Sequence, residues 1–371
     1  MKKIALMVLS LAGLLWFISC EVNTPSQPKL NITPNKLVLN KVVAVGNSLT
    51  AGFQSAGLVE NFQKHSYPYY IAEQMQKADE FEEPLIASPG IGSTPGKGPL
   101  TLKNGNLVAP DVTVDPVTLL ENALLPRPYD NLGVPGATLG DVLNTYNAET
   151  AEHGNNPFFD IVLRNPNFGN TTQLQQAILL NPTLIILWIG NNDVLGAALD
   201  GGNLSIITPQ SDFKAKFTKL LTELRQKTHA AIVMANIPYV TDIPFVNTLD
   251  RVFATSPSIG ITDPMPMVFD ENLQPVDFSL FGGSGLFFPL LTEEKNVTHL
   301  TLSALAAYQN GIGVPDSAAL VSFGLSPAIA RGVIQGMIAG GLNPTGIPMP
   351  GNLTLTAKEE QTIKDAVDGF N

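Results

Sequence analysis

A serine set on a small-residue turn directly behind an apolar run is the first group in this chain with chemistry to offer. In Lys41-Val42-Val43-Ala44-Val45-Gly46-Asn47-Ser48-Leu49-Thr50-Ala51-Gly52 the apolar pattern breaks at Gly46, and Ser48 follows two residues later. A serine hydroxyl is a weak nucleophile until a base takes its proton and donors receive the negative oxygen its attack creates. Two later segments end in the same manner. Leu132-Gly133-Val134-Pro135-Gly136-Ala137-Thr138 offers backbone N–H groups on a glycine turn, centred on Gly136. Leu187-Trp188-Ile189-Gly190-Asn191-Asn192-Asp193 closes an apolar run with the carboxamide of Asn192. A hydroxyl, a backbone N–H and a neutral amide are the groups that acyl transfer requires. Taken singly, each has a plain structural reading: Ser48 as a cap, Gly136 as a turn glycine, Asn192 as satisfying loop backbone. Asp193 reads as a brace of its loop.

The elements that must position these residues are legible as short runs. Val42–Val45, Leu184–Ile189 and Ala230–Ala235 have the continuous apolar character of strands buried on both faces, and a weaker strand falls in Tyr129–Val134. Ahead of the third run, Phe213, Phe217, Leu220, Leu221 and Leu224 recur at helical spacing, predicting a helix over Ser211–Lys227 with Ser211 as its N-cap. Strand, helix and strand in this rhythm predict βαβ units, hence an α/β fold around a parallel sheet, whose ligands bind beyond the carboxyl ends of the strands. Two stretches interrupt the rhythm, residues 80–125 and 241–350. They read as insertions over that edge, with one helical candidate at Thr301–Tyr308. Gly285–Leu291 (GLFFPLL) reads either as lining for an acyl pocket or as core. Thr356-Ala357-Lys358-Glu359 has capping-box spacing, and Ile363, Ala366, Val367 and Phe370 form the apolar stripe of a last helix that no strand follows.

GNSLTAG, NLGVPGAT and GNND, in this order, resemble the first three sequence blocks of the SGNH hydrolases, the GDSL lipase/esterase family. The resemblance covers residues 41 to about 240. It implies a flavodoxin-like three-layer sandwich over residues 38–371, carrying both insertions, and a serine ester hydrolase working through an acyl-serine. Carried onto this chain, Ser48 matches the nucleophile, while its own N–H, the Gly136 N–H and the Asn192 carboxamide match the oxyanion hole. Asn47 stands where the family has Asp and can make similar turn hydrogen bonds. No GxSxG occurs, which argues against the ordinary α/β-hydrolase elbow. The family also supplies its base from a late DxxH block, and this chain has four histidines and no DxxH. His229 precedes a strand, His65 begins a surface helix and His153 lies in the polar loop EHGNNP. His299, in Asn296-Val297-Thr298-His299, is the nearest match and the tentative base. A last helix without its strand and a missing DxxH block together make the sequence read as a copy cut short before both.

Bulk properties narrow the partners. The net charge is −11 over 371 residues, with no basic run after Lys2-Lys3, which argues against nucleic acid as a partner. MKKIALMVLSLAGLLWFISC has two lysines, an apolar stretch and the only cysteine, Cys20, in a context resembling a bacterial lipobox. Residues 1–20 are therefore expected to be a lipoprotein signal, Cys20 the lipidation site and 21–37 a tether, placing the protein at the bacterial cell envelope, lipid-anchored at the outer membrane or periplasmic face; the alternative is an ordinary signal peptide or membrane anchor that happens to contain a cysteine. No metal or organic cofactor is implied. The expected substrate is an ester: a lipid, an acetylated glycan or a small ester. The competing expectation is a noncatalytic lipoprotein that binds a glycan or lipid on the same fold. Phosphate binding at the glycine turns lacks the GxxxxGKS/T pattern it would need.

Overall fold

The apolar runs become strands where their side chains can be buried on two sides. The computed structural model describes residues 39–103, 106–281 and 285–371. The expected signal, Cys20 and the tether lie outside the described residues. One parallel sheet contains β1 (Val42–Gly46), β2 (Asn131–Gly133), β3 (Leu184–Trp188) and β4 (Ala231–Met234), in spatial order β2-β1-β3-β4. Among the helices are α1 (Ser48–Ala51), α2 (Tyr67–Gln74), α3 (Leu139–Asn144), α4 (Phe158–Leu163), α5 (Gln173–Leu179), α6 (Asn192–Leu199), α7 (Gln210–Lys227), α8 (Pro327–Ala339) and α9 (Ala357–Phe370).

Alternation along β1 and β3 creates the layers. Val43, Val45, Ile185 and Leu187 face one hydrophobic cluster, filled by Leu139 and Val142 of α3, Leu174 and Ala177 of α5, and Leu220 and Leu224 of α7. Val42, Ala44, Leu184 and Ile186 face the other, against Ala72 of α2 and Phe81. Each fully buried Val, Leu or Ile contributes about 1.5–3 kcal/mol, so the two central strands hold the sheet in place. β4 departs from the expectation of burial on both faces. It lies at one edge of the sheet, and Val233 and Met234 are 56% and 51% exposed.

Other differences have local causes. α7 starts at Gln210, so Ser211 lies inside its first turn; Pro209 occupies the cap position with no side-chain cap bond. The insertion at 80–125 is no mere flap, because Ile86, Ile91 and Leu120 enter the main cluster. Most of 241–350 folds around a second cluster that includes Val252, Phe269, Phe288 and Met337. There Leu286, Phe288 and Leu290 of GLFFPLL are core. The helical candidate at 301–308 forms over Ala304–Gln309. α8 was not anticipated, although Ser326 caps it, Pro327 opens it and Ala330, Val333 and Met337 are its buried stripe. α9 has its expected capping box. Its stripe is received by helices: Ile363 and Val367 join the main cluster, and Phe370 stacks on Phe213 of α7 at 4.0 Å.

One buried acid ties the first insertion to the strand ends. Glu83 is 2% exposed; Ser66 Oγ and Asn131 Nδ2 donate to its Oε1 at 3.2 and 2.8 Å, while Oε2 is buried without a partner. Burial pushes its carboxyl from the ordinary 4.5 up to about 7, against those two hydrogen bonds. The folded protein therefore keeps this proton where the unfolded chain has lost it. The associated stability is full below the ordinary carboxylate range and is lost as pH rises through about 7. At 1.36 kcal/mol per pH unit it amounts to about 3 kcal/mol. Glu83→Gln keeps an acceptor and cannot titrate, so its urea-unfolding free energy should fall about 2–3 kcal/mol less than wild type between about pH 5 and about pH 8. Parallel curves for the two proteins would assign the titration elsewhere.

Candidate active site

Register brings three loops to one place. Gly46, the last residue of β1, pairs with Gly133 of β2 on one side and with Trp188 of β3 on the other. The chain thus leaves all three strands at the same level on the carboxyl edge. Ser48 opens α1 two residues past Gly46, Gly136 lies three past Gly133, and Asn192 opens α6 four past Trp188. α1 rests directly on this edge: a Cβ at Gly133 would sit 2.4 Å from the Ala51 nitrogen.

Three carboxamides join the loops. The Asn47 side chain accepts from Leu49 N–H at 3.1 Å, capping α1, and its Nδ2 donates to Asn191 Oδ1 at 3.1 Å. Asn192 Nδ2 donates to the Ala137 carbonyl at 2.8 Å, beside Gly136. The pair Asn191-Asn192 therefore holds the serine loop with one residue and the glycine turn with the next. Asp193, fully buried, accepts from Leu139 N–H at 2.8 Å and from the Thr208 hydroxyl at 3.0 Å, which anchors α3 to α6. Burial pushes its carboxyl up to about 6, with those hydrogen bonds opposing. Asp193 braces, as its sequence position predicts.

What this leaves uncommitted is informative. Ser48 is half-buried, and neither its hydroxyl nor its N–H bonds any described residue. Gly136 adopts φ +82°, a left-handed conformation that suits glycine, and its exposed N–H has no acceptor among the described residues. One N–H of the Asn192 carboxamide is spent on Ala137, and a primary amide has two. A hydroxyl and three N–H donors thus stand free in loops tied to one another.

No histidine joins them. His299 lies on the strand Val297–Leu300 in the second cluster, its Nδ1 3.1 Å from Asp250 Oδ1 and its Nε2 3.4 Å from Glu360 Oε2. His65 bonds the Asn61 carbonyl through Nδ1, and His153 and His229 are exposed. Among the described residues none hydrogen-bonds Ser48, so the structure does not bring His299 to the serine. Asn191 was not singled out from the sequence; its signal was the doubled asparagine itself.

Residues 42–263 match the family model described as GDSL-like Lipase/Acylhydrolase. The matched stretch holds Ser48, Gly136 and Asn192 and ends before His299. No curated protein and no solved structure matches the chain.

The Asn47 ties carry a stability prediction. Asn47→Ala removes the α1 cap, worth about 1 kcal/mol, and strands the buried Asn191 carbonyl, for a total loss of about 2 kcal/mol or more. Asn47→Asp keeps the cap, and a turned-over Asn191 amide can donate to it, so its loss should stay within about 1 kcal/mol. Urea unfolding measures both. Equal losses for the two variants would contradict the hydrogen-bond account.

Proposed function

Because the chain belongs to the GDSL-like lipase/acylhydrolase family, we propose that it hydrolyses carboxylic esters through Ser48. The observation that carries this reading is the free hydroxyl of Ser48 and the free N–H donors carried by two loops that hydrogen bonds link to its own. Ser48 Oγ attacks the ester carbonyl carbon, and the carbonyl oxygen gathers negative charge. The N–H groups of Ser48 and Gly136 and the second N–H of Asn192 receive that charge. Donors fixed before the reaction avoid the reorganisation that water would require. The intermediate then collapses, the alcohol leaves with the proton taken from Ser48, and water releases the acid from the acyl-serine. Neutral donors suit a charge that exists only transiently.

A second reading has one observation in its favour. No histidine bonds the Ser48 hydroxyl, so the same crevice in a noncatalytic envelope protein would bind a glycan or lipid. For either reading we propose an exported protein, lipid-anchored at the bacterial cell envelope through Cys20. Its support is the lysine pair, apolar stretch and lone cysteine of the first 20 residues. Cys20→Ser should abolish metabolic labelling by a radioactive fatty acid.

Turnover of p-nitrophenyl acetate separates the two readings. The purified protein should turn it over and be labelled by a fluorophosphonate. Ser48→Ala should lose both, and Asn192→Ala should lower turnover about 100- to 1000-fold. Turnover that survives Ser48→Ala places the activity at another residue, and no turnover by wild type favours the binding protein. His299→Ala tests the remaining histidine: turnover and labelling unchanged from wild type place the base elsewhere.

A further inference from the structure

The polar loop Glu152-His153-Gly154-Asn155-Asn156-Pro157 lies outside the three sequence blocks, and its Asn156 touches the glycine turn. Val134-Pro135-Gly136-Ala137 is a β-turn closed by Ala137 N–H to the Val134 carbonyl at 3.1 Å. Proline in the second position and φ +82° at Gly136 in the third make it type II. In such a turn the central peptide has an alternative. Rotating the Pro135–Gly136 plane by about 180° gives type I, in which the third residue takes φ near about −90°. Glycine adopts either sign of φ readily, so residue type alone leaves the choice open. The two forms aim the Gly136 N–H in opposite directions.

Asn156 Nδ2 donates to the Pro135 carbonyl at 2.8 Å. The peptide is trans, since the only cis bond among the described residues is Ser88–Pro89. In a trans peptide the carbonyl and the following N–H point in opposite directions. Holding the Pro135 oxygen toward Asn156 therefore turns the Gly136 N–H away from it, where no described group accepts it. The clamp is itself fixed. Asn156 Oδ1 accepts from Phe158 N–H at 3.1 Å, its N–H donates to the Ala148 carbonyl at 3.0 Å, and its carbonyl accepts from Phe159 N–H at 3.2 Å. Phe158 and Phe159 are buried in the main cluster, and Phe158 meets Phe53, just past α1, edge to face at 5.9 Å.

We infer that Asn156 is a positioning residue, selecting the turn conformer in which the Gly136 N–H can receive the oxyanion. The inference rests on the ester-hydrolase reading above. Loss of the clamp lets the peptide flip, which withdraws one donor from the transition state and leaves substrate binding nearly untouched.

The test is steady-state turnover of p-nitrophenyl acetate by wild type, Asn156→Ala, Asn156→Asp and the exposed-loop control His153→Ala, each corrected for its folded fraction. Asn156→Asp keeps the shape and, when ionised, cannot donate to Pro135. Asn156→Ala and Asn156→Asp should both lower kcat about 10- to 100-fold with KM changed less than about threefold. Fluorophosphonate labelling should slow by a similar factor, and His153→Ala should match wild type. If Asn156→Ala does not fold, the isosteric Asp variant carries the decision. Wild-type activity that needs Ser48, with kcat in Asn156→Asp within about threefold of it, overturns this inference alone. A rise in KM at unchanged kcat, or a fall that disappears on correction for folded protein, overturns it too. No turnover and no labelling by wild type removes the ester-hydrolase reading and this inference together.

Discussion

A parallel sheet releases its strands side by side at one edge, and the loops that follow have no ladder to hold them. In this protein asparagine carboxamides supply the missing order. The Asn47–Asn191 bond ties the loop after β1 to the loop after β3, and the Asn192–Ala137 bond ties that loop to the turn after β2. A carboxamide donates and accepts at once, so one residue type can bridge a hydroxyl-bearing turn to a backbone carbonyl without bringing in a charge. Remove these bridges and Ser48, Gly136 and Asn192 still follow adjacent strands, but their loops lose the side-chain ties that join them directly.

Charge is kept beneath the crevice instead of in it. Glu83 and Asp193 are buried behind the loops, both raised by desolvation, and each accepts hydrogen bonds from groups that shape the edge. Asn131 donates to Glu83 and to the Thr50 carbonyl of α1, and its Oδ1 accepts from Gly133 N–H, so the insertion at 80–125 reaches the serine helix through a single side chain. Desolvation raises both carboxyls, so each ionises less readily than an exposed acid would.

The local parts of this arrangement were legible in the sequence and the long-range parts were not. β1 and β3 announce themselves because burial on both faces forces continuous apolar residues, and Gly46 and Gly190 mark where those runs stop. β4 has the same composition but lies at an edge of the sheet, and strand order is not written in one strand's residues. Ser211 has the chemistry of a cap, yet Pro209 holds the cap position two residues earlier, a shift within the usual variation of helix ends. The second cluster was obscured because its strands are short and its glycines and prolines break up the periodicity. Asn156 was invisible for a different reason: its partner lies 21 residues away, and only folding places a polar-loop carboxamide against a turn carbonyl.

The site divides along the chain as well as in space. Every hydrogen bond that orients Ser48, Gly136 and Asn192 is made by residues between Asn47 and Thr208, within the stretch that matches the family. His299 lies on the strand whose Val297 and Leu300 enter the second cluster, with its ring between Asp250 and Glu360. Serine hydrolases need both oxyanion donors and a proton acceptor, and here no histidine among the described residues hydrogen-bonds Ser48. In serine hydrolases the two contributions are also separable in energy, since an oxyanion hole and substrate binding alone retain about 10³- to 10⁴-fold of catalysis when the triad is broken. If Ser48 is the nucleophile, as proposed, donors locked by their own loops would keep that share whichever group accepts the proton. The geometry of the glycine turn, not the histidine, is what this part of the chain has to preserve.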